Sequence, residues 1–248
     1  MNDLAESLDR LLFGQCPPRR VREIERGASS ALLWQQLEQS GFLDALVPAE
    51  RGGSGLCLAQ AFELLALHGR YALPVPMAST MVLRALGCDA LPRELGAVVT
   101  AAQIVGALER VLEMTVAFAN QREQFGRPIG KFQAVQHQLA VMAEQVAAAR
   151  MAAQIGCAAD GLQPDRLRAA VAKSRASEAA AVVAPMAHAI HGAIGITAEF
   201  DLQLYTRRLH QWRADFGSEL AWSRVLGQAL LEEGERALDF MRQSLLPA

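Results

Sequence analysis

Little in this sequence can build strands. Aromatic side chains make up 6% of its 248 residues, with two tyrosines among them. Thr and Ile are scarce as well, so the β-branched and aromatic runs that strands favour are few. The four cysteines, Cys16, Cys57, Cys88 and Cys157, lie far apart. No Cys-x-x-Cys occurs and no Cys/His pair has metal spacing, which argues against a disulfide framework or a metal site and fits a reducing cytoplasm. An excess of basic charge is also missing: Lys and Arg total 24 against 26 Asp and Glu, a net charge of −2. A nucleic-acid partner would normally require a basic face. No apolar run looks long enough to span a bilayer without interruption. The start, Met1-Asn2-Asp3-Leu4-Ala5-Glu6, lacks the basic residues and apolar core of a signal peptide. The expectation is a soluble, cytoplasmic protein with no membrane partner.

Common catalytic motifs are missing too. There is no Glu-x-x-His for a di-iron bundle, no Gly-x-Ser-x-Gly elbow and no Rossmann glycine fingerprint. The Gly52-Gly53-Ser54-Gly55 loop lacks the Lys-Ser/Thr of a phosphate-binding loop and has no β run before it. His68, His137, His188 and His210 read singly as structural or surface groups. His191 stands apart because it sits at a helix end beside Gly192. Asp215, Glu219 and Glu199 read as capping or dipole partners near helix starts.

What the sequence does contain is helical periodicity, with 52% apolar residues and abundant alanine. Apolar positions three and four apart predict helices over 3–12, 31–40, 58–69 and 77–86. Cys16-Pro17-Pro18 ends the first of these, Gly41 stops the second, and Pro74 and Pro76 follow the third. Beyond 87–92 the segments lengthen. Leu95, Val98, Ala102, Val105, Leu108, Leu112, Thr115 and Ala119 share one long helix. Phe132, Val135, Leu139, Met142, Val146, Ala149 and Ala153 give the next a heptad-like seam, with Gly161 as its stop. A third starts at Pro164-Asp165 and runs to about Ile190, a shorter piece covers 201–208, and the last runs from near Ser218 to Arg242. The fold class is therefore all-α: an N-terminal helical domain, 1–92, joined directly to a C-terminal four-helix bundle, 93–248.

Between the first two long helices lies Gln121-Arg122-Glu123-Gln124-Phe125-Gly126-Arg127-Pro128-Ile129-Gly130-Lys131-Phe132-Gln133. Pro128 and the two glycines predict a short loop, and Arg122, Arg127 and Lys131 make it cationic.

This string resembles the signature helix–loop–helix of the acyl-CoA dehydrogenase family. So do His191-Gly192-Ala193-Ile194-Gly195, then Leu204-Tyr205 with Arg207-Arg208, and Phe216-Gly217-Ser218. Val47-Pro48-Ala49-Glu50 with Gly52, Gly53 and Gly55 continues the likeness at the N-terminal end, so it covers nearly the whole chain in family order. The resemblance implies FAD as cofactor and an acyl-CoA thioester as substrate, with α,β-dehydrogenation in lipid or steroid side-chain catabolism. It implies that Arg122 and Gln124 hold the FAD diphosphate, often across a subunit interface, a task suited to a planar guanidinium. Phe125, Phe132 and Gln133 would lie against the adenosine half. Ile190, His191 and Gly192 would offer backbone close to a neighbouring subunit's cofactor, and Ser218 would begin the last helix beside the dinucleotide.

The sequence departs from the family in two ways. The β domain usual between the helical domains is missing, since the predicted helices either side of 87–92 nearly abut. At the position of the common catalytic glutamate stands Phe216, which cannot accept a proton. Asp215 is one residue away and is expected to point elsewhere, so the catalytic residue stays unassigned. Ala193 and Ala189 also replace a usual glycine and glutamine. Two readings follow: a reduced acyl-CoA dehydrogenase, as a homo-oligomer or with a partner, or a non-catalytic subunit or scaffold that completes the FAD site of a full-length dehydrogenase.

Overall fold

Every residue from Leu95 to Leu108 is buried, on all sides of the helix that carries it. A helix apolar all round must be covered all round. This one, α6 (Arg93–Gln121), is the axis of the computed structural model, which describes residues 3–234 and 236–245. Before it come α1 (Asp3–Gln15), α2 (Pro18–Glu25), α3 (Ala31–Gln39), α4 (Leu58–Arg70) and α5 (Met77–Leu86). After it come α7 (Gln133–Cys157), α8 (Arg166–His191), α9 (Leu202–Ala214), α10 (Glu219–Glu233) and α11 (Ala237–Phe240). The only strands among the described residues are β1 (Glu123–Gln124) and β2 (Arg127–Pro128), so the all-α expectation holds. A single cluster of buried side chains extends from Ala5 in α1 to Trp212 in α9.

The backbones of α4 and α6 are in direct contact. A Cβ placed on Gly69 would stand 1.8 Å from the Gln103 carbonyl oxygen, and one on Gly106 would stand 1.8 Å from that of Ala66. Two glycines, one on each helix, therefore let the backbones touch. Alanines do similar work between α7 and α8, where a Cβ on Gly156 would lie 2.5 Å from the Ala172 Cβ. Arg150 of α7 ties these helices together at the surface, pairing with Glu109 of α6 at 2.7 Å and with Glu63 of α4.

Several boundaries differ from expectation. The Pro17-Pro18 pair does end α1, but Pro18 also opens α2, because proline is favoured at a first helical position. Pro164 precedes α8 rather than lying in its first turn. Asp165 is the N-cap, its Oδ1 accepting from the N–H groups of Leu167 and Arg168 at 2.9 Å. α7 ends at Cys157, before Gly161, and α9 runs to Ala214 rather than Arg208. The last segment is not one helix to Arg242. Gly234, at φ 69°, closes α10 in the left-handed conformation, and the chain re-forms as α11 and a π-helical turn over Met241–Leu245.

On length and composition two stretches, α6 and Arg166–Ile196, are apolar enough to cross a membrane, which corrects the expectation of no such run. In α6, 83% of that apolar window is buried inside the protein, so there the apolar surface forms the core.

Candidate functional site

The residues singled out in the sequence fall at two ends of α6. At its C-terminal end, β1 and β2 form a tight antiparallel ribbon with Gln124 opposite Arg127. Phe125 and Gly126 make its two-residue turn, at φ 52° and 77°. Two consecutive positive φ values match the twist of a hairpin, but Phe is an uncommon choice for the first. Its ring is 92% exposed and meets Phe132 edge-on at 6.1 Å. The Arg127 guanidinium lies 4.2 Å over the Phe132 ring. Arg122, Gln124 and Gln133 are exposed. The Arg122 backbone is fixed, donating to Phe118 O and accepting from the Ile129 N–H, both at 2.8 Å. Its guanidinium has no ion-pair partner among the described residues.

The end of α8 meets the same end of α6. His191 stacks on Phe118 at 4.4 Å and packs against Phe200 at 4.8 Å. Its Nδ1 lies 2.8 Å from Ala187 O, so Nδ1 carries the proton and Nε2 is a buried acceptor without a partner among the described residues. Burial lowers its pKa, which keeps the ring neutral. Ile190 is buried beside it, while Gly192, at φ 63°, faces open space where a Cβ would meet nothing. The donor set suits a dinucleotide: a free guanidinium and amide for a diphosphate, a bare aromatic ring for stacking, and an open backbone turn for close approach.

At the other end of α6, Phe216 packs on Gly96 and Ser218 caps α10, its Oγ accepting from Ala221 N–H at 3.4 Å. At roughly 1.5 Å per residue, Gly96 and Phe118 are about 33 Å apart. Ser218 is therefore not brought together with Arg122, Gln124, Phe125, Phe132, Gln133 or the His191 turn within one chain.

This second end is concave. A cleft of about 510 Å³ lies between α4, α5, α6 and α9, lined in part by His68, Thr100, Gln103, Trp212, Asp215 and Phe216. Asp215 lines the cleft together with Phe216. Burial raises its pKa, against the nearby Lys173 ammonium. Phe216 and Gly217 again carry positive φ, 56° and 106°. Lys173, fully buried on α8, holds this turn from beneath, with Nζ donating to Arg213 O at 2.9 Å, Gly217 O at 3.1 Å and Ser177 Oγ at 3.0 Å. Trp222 Nε1 donates to Phe216 O at 3.0 Å.

The sequence reading took His68 for a structural or surface group and did not single out Thr100, Gln103 or Lys173. The signal was present in α6: Thr100 and Gln103 are the polar interruptions in the run from Leu95 to Leu108, and their spacing puts them on one face.

The family profile described as acyl-CoA dehydrogenase, C-terminal domain, matches residues 94–219. The acyl-CoA dehydrogenase IpdE2 of Mycolicibacterium smegmatis is 40% identical over 152 residues, 61% of this chain and 46% of that protein. The chain thus spans less than half the length of that relative. A chain of the ChsE4-ChsE5 complex from Mycobacterium tuberculosis superposes with a TM-score of 0.82 at 19% identity, over 94% of this chain and 98% of that one. The Tcur3481-Tcur3483 steroid ACAD G363A variant gives 0.81 at 21%, with the same coverage. These two establish a shared fold.

Proposed function

This chain belongs to the acyl-CoA dehydrogenase family, and on that premise we propose that it is a subunit that completes the FAD site of a dehydrogenase partner. In this reading α,β-dehydrogenation of an acyl-CoA thioester proceeds in the mixed cytoplasmic assembly. The observation that carries it is the separation of the two ends of α6. Along α6 Arg122 stands about 28 Å from Gln103, the nearest residue of that helix lining this chain's own cleft, so a dinucleotide held at the ribbon serves the cleft of another chain. Phe216 at the expected base position adds support, because it leaves proton abstraction to the partner. FAD, when bound, supplies the hydride acceptor. Arg122 and Gln124 bind its diphosphate, Phe125, Phe132 and Gln133 flank its adenosine half, and the Ile190–Gly192 backbone closes over it. The acyl class to assay first is a lipid or steroid side chain, since one structure of the same fold is named a steroid ACAD.

The test is co-purification with a full-length dehydrogenase and measurement of flavin absorbance and acyl-CoA-dependent reduction. Replacing Arg122 by Ala is expected to weaken flavin retention in the complex about ten- to a hundredfold, the range for charged hydrogen bonds. A purified single chain that is yellow and reduced by acyl-CoA would remove the partner from the reading. A colourless homo-oligomer that recruits no dehydrogenase would leave only a scaffold.

A further inference from the structure

Three polar side chains in the cleft have no task in the reading above. His68, Thr100 and Gln103 are each more than nine-tenths buried, at 6%, 3% and 8% exposed. They come from α4 and α6 at the point where the helices touch, since Gly69, next to His68, abuts the Gln103 carbonyl. Nδ1 of His68 accepts the Ala78 N–H at 3.3 Å, which leaves the ring proton on Nε2. Burial, with the Arg208 guanidinium nearby, pushes the pKa down to about 3, so the ring is neutral at working pH. Neither Nε2, the Thr100 hydroxyl nor the Gln103 amide is hydrogen-bonded among the described residues, and none is sealed from the cleft. The three residues are buried but these polar atoms stay accessible, so the floor offers three hydrogen-bonding groups to water or to a ligand.

The charges around them narrow the ligand. The floor itself carries none. On the rim, Glu25 occupies both Arg207 and Arg208, the latter at 2.7 Å. Asp215, which also lines the cleft, has the Lys173 ammonium nearby. Leu73, Val75, Trp212 and Phe216 supply the apolar walls. A carboxylate or phosphate finds no unpaired cation on this floor, and a plain hydrocarbon leaves the donors unmet.

We propose that the cleft binds a largely apolar ligand through one neutral oxygen, a ketone or hydroxyl, seated on His68 Nε2–H and the Gln103 amide. The inference goes beyond the proposed function, which places the dehydrogenation in a partner's cleft, and it stands on this chain's own cleft alone.

The experiment titrates the full chain with 2-decalone, labelled with ¹³C at the carbonyl, and with decalin and decahydro-2-naphthoate. Trp fluorescence reads affinity, and the carbonyl resonance reads hydrogen bonding. The ketone is expected to bind about tenfold tighter than decalin, with its carbonyl resonance shifted downfield, one or two neutral hydrogen bonds being worth that ratio. Gln103→Leu should cut ketone affinity about fivefold and leave decalin binding unchanged. Equal affinity of ketone and hydrocarbon overturns the proposal, as does failure of both to bind, or a carboxylate that binds tighter than the ketone. The wild-type comparison needs no variant to fold. It uses neither flavin nor partner, so its failure is distinct from loss of flavin in the mixed complex.

Discussion

Lys173 offers the sharpest test of the structure. Its side chain is fully buried, and its ammonium donates to Arg213 O, Gly217 O and Ser177 Oγ. Burial disfavours the charged form more than the Asp215 and Glu219 carboxylates favour it, and the pKa falls from 10.5 to about 8. The sign of the pH effect follows from linkage. Between about pH 8 and 10.5 the unfolded chain holds a proton that the folded chain has released, so Lys173 makes stability rise with pH. The slope is about 1.4 kcal/mol per pH unit, or about 2 kcal/mol gained by pH 9.5. Buried Cys16 and Cys157 act in the opposite sense. Burial raises their thiols from 9.0 to about 11 and about 12, so their contribution is complete below pH 9 and is lost as pH rises. A raw alkaline profile mixes these effects, but Lys173→Met leaves both thiols in place. Urea unfolding of wild type and variant at pH 7.5 and 9.5 isolates the lysine: the stability gap should shift by about 2 kcal/mol in favour of wild type at the higher pH. A gap that moves by less than about 0.5 kcal/mol would refute the buried, depressed lysine.

Other expectations are simpler. Gly106→Ala drives a Cβ into the Ala66 carbonyl and should cost about 3 kcal/mol or more, read as a lower urea midpoint; a loss under about 1 kcal/mol would mean that α4 and α6 are not in backbone contact. Asp215→Asn tests whether the cleft carboxyl abstracts the proton. If the partner supplies the base, turnover of the mixed complex should stay within about twofold, whereas a fall of about 10² or more would make Asp215 the base.

The long helices were legible because their apolar residues repeat at three and four, and α5 has the bounds that periodicity predicts. α2 was not, because Val21 is its one buried residue and Pro18 looks like a stop when it is in fact a start. The break at Gly234 was passed over because the residues either side of it are helix formers, and only the backbone shows its φ of 69°. The candidate site divides in the same way. Contiguous signals such as the Arg122 ribbon and the His191-Gly192 turn could be read directly. The cleft could not, because His68 reaches Thr100 and Gln103 only through the α4–α6 crossing. Nor does motif order carry distance: Ser218 follows the His191 turn closely in sequence, yet a helix of about 33 Å separates their ends of the bundle. Lys173, between Ala172 and Ser174, carries no sign of burial in the sequence; only the packing of α9 and the turn after it brings the Arg213 and Gly217 carbonyls over it.

Backbone strain gives a separate argument about the ribbon. Of the non-glycine residues at positive φ, Phe125 and Phe216 both precede a glycine that is also at positive φ, one pair at each end of α6. Such conformations cost on the order of 1–3 kcal/mol and persist where their surroundings impose them. At Phe216 the surroundings are visible: Lys173 and Trp222 hold the carbonyls of the turn, and the ring packs on Gly96. At Phe125 they are not. The short ribbon fixes the turn, but the ring it carries is 92% exposed and touches only the edge of Phe132. Asn or Gly would make the same turn at lower cost. The backbone pairing of the ribbon is what holds this turn within the chain, and the exposed phenyl ring adds little to it. The guanidinium of Arg122, without an ion-pair partner among the described residues, stands beside the same ribbon, and an aromatic ring next to such a cation suits a planar, anionic ligand.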